Sequence, residues 1–298
     1  MSAFDKIIVT FLPLVPKPIV RIFSKPYIAG ANLSAAIKRV KHLNEIGCMT
    51  TLDILGESAK NQNECQEAVL FYFDLLEVIQ QEKLDGNISV KLTQLGLSLD
   101  KNLCYENIKK IAQKAATYNI FMRIDMEDAS TTDDTIEIFQ RINKEFPNTG
   151  IVIQAYLRRS LDDITILAAQ KTNFRICKGI YIEPRKLAYK DPQIVNNNYV
   201  ACCEKILSQK CYVGFATHDE RLVWQAFRLI NKYNLHKNEY EFQMLLGVDE
   251  QLRDIIIAAG HRLRVYVPYG KKWHAYSMRR LKENPKIATY VLKSIFKL

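Results

Sequence analysis

Short apolar segments alternate with longer amphipathic ones along most of the chain, and nothing else in the sequence limits the fold as strongly. The apolar segments lie near Thr50–Leu55, Ile88–Leu92, Ile120–Ile124, Ile151–Ala155, Phe174–Cys177, Tyr212–Ala216, Glu241–Leu246 and Leu263–Val267. Each has the length of a strand. Helical patterns run between them, near Gln66–Gln81, Tyr105–Thr117, Thr132–Glu145, Leu161–Gln170, Ile194–Ser208, Glu220–Tyr233 and Glu250–Ala259. In the first of these, Val69, Leu70, Phe73, Leu76 and Val78 recur at helical spacing. Eight strands alternating with helices are the arithmetic of a (β/α)8 barrel. A doubly wound sheet is the main competitor. It usually carries a Gly-rich phosphate turn early in the chain, and neither GxGxxG nor a Walker sequence is present. The expected fold class is α/β, a (β/α)8 TIM barrel over residues 31–298, with an N-terminal arm over residues 1–30. Asn32 or Ser34 is placed to cap a helix through about Ile46.

Composition narrows the function classes. With 298 residues, 48% of them hydrophobic, the chain has enough apolar surface for one large core. No apolar run reaches the roughly 20 residues of a membrane span. The most apolar early stretch, Ile7–Val20, is broken by Pro13, Pro16 and Pro18 and lacks a basic start, so cytoplasmic synthesis without export is expected. Seven cysteines, an odd number without CxxC, read as reduced core thiols. With five scattered histidines and no HExxH, no metal site is expected. A net charge of +10 favours anionic partners, but no run of five basic residues marks a nucleic-acid face. Peripheral contact with the inner face of an anionic membrane fits the charge and the apolar arm Ile7–Phe23.

In barrels of this type the chemistry sits at the C-terminal ends of the strands. Gly56 and Glu57 close the first strand, Lys91 and Thr93 follow the second, and the third ends Arg123-Ile124-Asp125-Met126-Glu127-Asp128. Gln154 to Arg159 end the fourth, and the fifth runs Arg175-Ile176-Cys177-Lys178-Gly179-Ile180-Tyr181. Thr217-His218-Asp219 ends the sixth, Gln243 lies in the seventh, and Tyr266 and Tyr269 lie in the eighth. Singly, each has a structural explanation: Asp128 and Ser130 as a helix cap, His218 as a satisfied strand-end histidine, Tyr156 as a core aromatic. Together they would be costly to bury without partners or a ligand. Lys178 beside Gly179 suits a phosphate, and Gln154 both donates and accepts, as the imide edge of a heteroaromatic ring requires. Thr217 and His218 suit phosphate or ribose. These groups describe a large, anionic, partly aromatic cofactor. Asp125, Lys91, Tyr266, Arg279 and Arg280 remain for a small substrate with a carboxylate and an amine.

The last strand is expected to stop at a Pro-Tyr-Gly turn, with a helix after it. Tyr276 lies four residues before Arg280 and Glu283 four after Arg279, so all four fall near one helix face. A guanidinium pair is a good carboxylate receptor if this helix covers the barrel mouth. Otherwise it is a solvated basic helix end with an intrahelical ion pair.

The segments TLDILGE at Thr51, SVKLTQLG at Ser89, RIDMED at Arg123, QAYLRRS at Gln154, RICKGIYIEP at Arg175, FATHDE at Phe215, EFQMLLG at Glu241 and VYVPYGKKWHAYSMRRLKEN at Val265 resemble proline dehydrogenase, in its short monofunctional bacterial form. They run in family order from about Tyr27 to Asn284. The resemblance implies a distorted barrel with FAD at the strand ends and the last helix lying over them. It implies oxidation of L-proline to Δ1-pyrroline-5-carboxylate by hydride transfer to flavin N5, with electrons passed to a membrane quinone. It places Arg279 and Arg280 on the proline carboxylate with Lys91 nearby, Asp125 at the substrate, and Tyr266, Leu245 and Tyr181 on the proline ring. Arg175 becomes the donor near flavin N5, Gln154 the reader of the ring edge, and Met126 its neighbour. Lys178, Gly179, Ile180, Thr217 and His218 follow the cofactor chain, and Glu283 pairs with the lid groups. Cys177 and Ile180 depart from the small or aliphatic residues expected there. Tyr266 is expected to favour proline over 4-hydroxyproline. The alternatives are another FAD barrel, a hydroxyproline dehydrogenase or a methylenetetrahydrofolate reductase-like enzyme, and a non-catalytic basic binding protein.

Overall fold

The computed structural model describes residues 17–56 and 58–283, without the side chains of residues 19, 22, 23 and 279–283. Glu57, the arm before Lys17 and the side chains of Arg279, Arg280 and Glu283 therefore lie outside the described residues.

All eight apolar segments form strands, each end within two residues of its expected place. They are β1 (Met49–Ile54), β2 (Gly86–Val90), β3 (Met122–Ile124), β4 (Thr149–Gln154), β5 (Asn173–Cys177), β6 (Val213–Ala216), β7 (Tyr240–Leu245) and β8 (Leu263–Tyr269). Each pairs in parallel with the next, and β8 closes on β1 through pairs such as Thr50↔Val265 and Leu52↔Val267. The result is a closed (β/α)8 barrel, as the alternating pattern requires.

The helices are α1 (Lys17–Ser24), α2 (Leu33–Glu45), α3 (Gln62–Gln81), α4 (Lys101–Thr117), α5 (Thr132–Glu145), α6 (Ser160–Ala168), α7 (Pro192–Ser208), α8 (Glu220–Tyr233), α9 (Glu250–Ala258) and α10 (Trp273–Glu283). Asn32, not Ser34, caps α2 by accepting from the Ala35 N–H at 3.0 Å. α3 and α4 start about a turn before the apolar period does, because Asn61 and Asp100 cap them through the Glu64 and Leu103 N–H groups. The cap, not the first buried residue, sets where a helix begins. Inward faces such as Cys65, Val69, Tyr72, Leu76 and Ile79 of α3 seal the outside of the sheet. Six cysteines are buried and Cys177 is half-buried.

β8 does not stop at the expected turn. It runs on through Pro268 and Tyr269, which pair with Asp53 and Ile54 of β1. The other side explains the tolerance. β7 pairs with β8 only as far as Tyr266, and beyond it the Pro268 carbonyl accepts from the Ala29 N–H of the arm at 2.9 Å. No β7 carbonyl is left waiting for the N–H that proline lacks. Gly270 N–H then donates to Gly30 O at 2.9 Å, so residues 29 and 30 lie along the strand. The arm crosses close by at Pro26, where a Cβ on Gly247 (φ +68°) would sit 2.1 Å from the Pro26 carbonyl oxygen. α1 packs against α10, and Tyr276 of α10 is buried with Ile28 and Leu55. These contacts hold α10 over the C-terminal mouth. No helix among the described residues is long and apolar enough to cross a membrane.

Candidate active site

Alternation along a strand sends every second side chain into the barrel, and the residue just past a strand's end stands at the mouth. Lys91, Asp125, Lys178 and Thr217 occupy such positions after β2, β3, β5 and β6. Together they line a cavity of about 380 Å³, within the range of small-molecule sites. The same cavity takes in Met126, Gln154, Arg175, Gly179, Ile180, Tyr181, His218, Leu245 and Tyr266. Every expected site residue with a described side chain is thus in one place. Tyr276 of α10 also lines it, so the last helix is over the mouth.

The floor is a buried polar cluster around Asp125. Its Oδ1 accepts from Arg175 Nη1 and from Ser89 Oγ, both at 2.8 Å, and its Oδ2 accepts from Tyr266 OH at 2.8 Å. Lys91 Nζ stands 3.7 Å from the same Oδ2 and donates to Asp53 Oδ1 at 2.6 Å. Burial by itself would lift the Asp125 carboxyl. Arg175 and Lys91, with the hydrogen bonds from Tyr266 and Ser89, hold it below the ordinary carboxylate range. Burial pulls the Lys91 ammonium down, but Asp53 and Asp125 together carry it above its usual value. Burial raises the Asp53 carboxyl against the pull of the Lys91 charge, and the two carboxylates share the lysine. Burial, then the charge of Asp125, raises the Tyr266 phenol well above its usual value, so it remains a donor. The guanidinium of Arg175 also lies 5.3 Å from the Tyr266 ring centre.

Arg175 is held from behind. Its Nε donates to Gln243 Oε1, and Gln243 Nε2 donates to Glu241 Oε1 at 2.5 Å. Glu241 in turn receives Arg264 Nε at 2.8 Å and Nη2 at 3.1 Å. Burial would lift the Glu241 carboxyl, but the Arg264 guanidinium beside it pulls it down to about 2. A chain of charged and amide groups thus runs down the lumen and fixes which way Gln243 presents its oxygen.

The wall above is different. Val152, Met126 and Met244 are buried and apolar, and Gln154 lies at one edge with its Nε2 donating to Glu127 O at 2.7 Å. Lys178 pairs with Asp219 at 2.7 Å, and His218 Nε2 accepts from the Leu245 N–H at 3.0 Å, which puts the neutral ring's proton on Nδ1. Gly179 has φ +103°, and a Cβ there would come within 2.1 Å of the Tyr156 ring. An apolar slot with an amide at one edge and cations at another fits a flat heteroaromatic ring joined to an anionic chain.

Asp53, Ser89 and Glu241 were not legible as site groups, and Asp219, grouped by sequence with the strand ends, had no role assigned to it. For Asp53 a signal existed, because a carboxylate in a run as buried as Thr50–Leu55 needs a cation. Arg123, grouped by sequence with the strand ends, belongs to the opposite mouth. It donates to Asn173 O and Oδ1, each at 2.6 Å, and lines a cavity with Gly86, Asn119 and Glu241.

The comparisons with known proteins agree with this geometry. Residues 36–292 match the proline dehydrogenase family. Proline dehydrogenase 1 of Bacillus subtilis (strain 168) is 34% identical over 277 residues, covering 93% of this chain and 92% of that protein. Proline dehydrogenase of Deinococcus radiodurans is 36% identical over 276 residues, covering 91% and 89%. The crystal structure of proline utilization A from Bdellovibrio bacteriovorus inactivated by N-propargylglycine superposes with a TM-score of 0.85 at 26% identity, covering 95% of this chain and 36% of that larger one. With sequence segments, barrel and cleft in agreement, the chain belongs to the proline dehydrogenase family.

Proposed function

We propose that this protein oxidises L-proline to Δ1-pyrroline-5-carboxylate with bound FAD and delivers the electrons to a membrane quinone, the first step of proline catabolism to glutamate. The observation that carries this reading is the joining, in one cleft, of the apolar slot edged by Gln154 to the buried Asp125–Arg175–Lys91–Tyr266 cluster. When bound, FAD supplies a hydride acceptor at flavin N5.

Met126 and Gln154 hold the ring system, and Ile180 follows the cofactor chain. Lys178, Gly179, Thr217 and His218 hold the anionic chain, with Asp219 tempering the lysine charge. Tyr266, Leu245 and Tyr181 pack on the proline ring. Arg279 and Arg280, assigned on sequence grounds, grip the carboxylate with Lys91, and Glu283 pairs with the lid. Asp125 and Arg175 form the catalytic pair: Asp125 orders the floor, and Arg175 favours negative charge developing on the ring.

Neither Lys91, kept protonated, nor Asp125, kept ionised among its donors, is set to take a proton from the substrate amine. On this reading proline reacts with its amine neutral, as hydride loss from the adjacent carbon requires, and turnover should rise with pH as that amine loses its proton. Fixing a small ring against the slot, away from water, supplies the orientation that hydride transfer needs.

The test is an anaerobic visible spectrum of the purified protein before and after adding L-proline. A flavin band that bleaches with proline, and far less with 4-hydroxyproline, supports the reading. A flavin that stays oxidised removes proline as substrate. No flavin after reconstitution with FAD removes the cofactor.

A further inference from the structure

The mouth opposite the cleft, where the strands begin, holds a cavity of about 740 Å³, within the range of small-molecule sites. Three guanidinium groups line it, those of Arg123, Arg262 and Arg264. Arg123 and Arg264 are buried, and the Arg262 side chain is 35% exposed. The one buried carboxylate in this lining is Glu241, and it is already engaged. It accepts twice from Arg264, once from Gln243 and once from the Tyr212 hydroxyl. Arg262 comes no nearer to it than 4.0 Å. Lys83 and Asp85, also in the lining, are exposed at the rim, and their opposite charges offset each other.

Arg123 pairs with no carboxylate among the described residues. It donates to Ile151 O at 3.2 Å and to Asn173 O and Oδ1, each at 2.6 Å, while its Nε has no partner. These acceptors are neutral, so they satisfy the N–H groups and leave the charge unanswered. Burial, then the charge of Arg175, pulls the Arg123 guanidinium down to about 9, which still leaves it cationic at neutral pH. α3 and α4 end at this mouth, and a helix C-terminus favours a cation, but only within its last turn. Arg123 bonds to residues of β4 and β5 instead. A cavity with more buried positive than negative charge attracts an anion. The planar forks of Arg262 and Arg264 suit carboxylate or phosphate oxygens, and Gln80, Asn119 and Asn238 add amides for further polar atoms.

We propose that this far mouth of the barrel binds a small oxyanion, a carboxylate or a phosphate, which Arg262 and Arg264 hold and which answers the buried charge of Arg123. The site is separate from the cleft and does not rest on the function proposed above.

The test is isothermal titration of the full chain with inorganic phosphate and, separately, with succinate, at an ionic strength fixed by chloride. Melting temperatures are measured in the same buffers. At ten times its Kd the bound anion should raise the melting temperature by about 3 °C over chloride alone. The tighter of the two tells phosphate from carboxylate. Arg262→Gln should weaken binding about tenfold or more, as expected for losing a charged hydrogen bond. Asn238→Glu, at an exposed position of the rim, should weaken it as much and raise the melting temperature in chloride alone, because a carboxylate of the chain then stands where the ligand's would. No binding heat and no gain in melting temperature with either anion overturns the site. So does binding undiminished in both variants, which would put the anion elsewhere on the chain.

Discussion

Arg175 of β5 and Asp125 just past β3, fifty residues apart in the chain, meet across the barrel floor at 2.8 Å, with only 6% and 9% of their surfaces exposed. A buried pair of this kind is weak evidence for stability, because desolvating both charges offsets most of their attraction. Breaking it by removing one partner is expensive, about 3–5 kcal/mol, because the other charge is stranded. Its value here is geometric: it aims one face of the guanidinium at Asp125 while Gln243 fixes the other.

Arg175→Met should therefore slow flavin reduction by proline about 100-fold or more, with a smaller loss of proline affinity. Anaerobic stopped-flow separates the two. A loss confined to binding would move Arg175 from the cofactor to the substrate.

Tyr266→Phe removes one donor to Asp125 and should lower kcat/KM for proline roughly tenfold, in line with about 1–2 kcal/mol for a buried hydrogen bond. Tyr266→Ser should raise the ratio of 4-hydroxyproline to proline turnover by opening the ring pocket. An unchanged ratio in steady-state assays of both substrates would remove Tyr266 from specificity.

Arg280→Met should raise the KM for proline about 100-fold while FAD content stays at wild-type level, as expected for losing a charged hydrogen bond to a carboxylate. The KM and the flavin-to-protein absorbance ratio check it together. An unaltered KM sinks the carboxylate grip.

Gly179→Ala should destabilise the protein by about 2–3 kcal/mol and weaken FAD retention, because a positive φ and the Tyr156 ring both oppose a Cβ there. Urea unfolding gives the first effect and flavin release on dilution the second. Adding Tyr156→Leu should recover part of the loss, since the strained φ remains but the clash does not.

Glu241 should contribute to acid stability through its low carboxyl pKa. Its pKa falls from 4.5 to about 2 on folding, so it contributes about 3 kcal/mol that is fully present above pH 4.5 and lost as pH falls toward about 2. Glu241→Gln should lower stability at neutral pH and flatten the slope of the urea midpoint between pH 5 and pH 3. An equally steep slope in the variant would assign the acid sensitivity to other carboxylates.

Much of the site could be read locally. A residue one place beyond a parallel strand must stand at the same mouth as its counterparts, so Lys91, Asp125, Lys178 and Thr217 are neighbours whatever their partners are. The residues of the last helix left open whether it covers the mouth, the family resemblance implied that it does, and Tyr276 lines the cavity accordingly. The expected end of β8 was wrong because the carbonyl of Pro268 found a partner in the arm, at Ala29, which local turn chemistry does not reveal.

The sequence by itself determined the barrel, since the period of apolar residues acts within a few residues and repeats eight times. It also determined which chemical groups the cleft would hold. Only the tertiary structure decided their pairings: Lys91 with Asp53 and Asp125, Arg175 with Asp125 and Gln243, Arg264 with Glu241, and Arg123 at the far mouth. Hydrogen bonds and ion pairs act over about 3 Å, and the register that brings residues 23 to 68 positions apart to that distance exists only once the strands have closed into a ring.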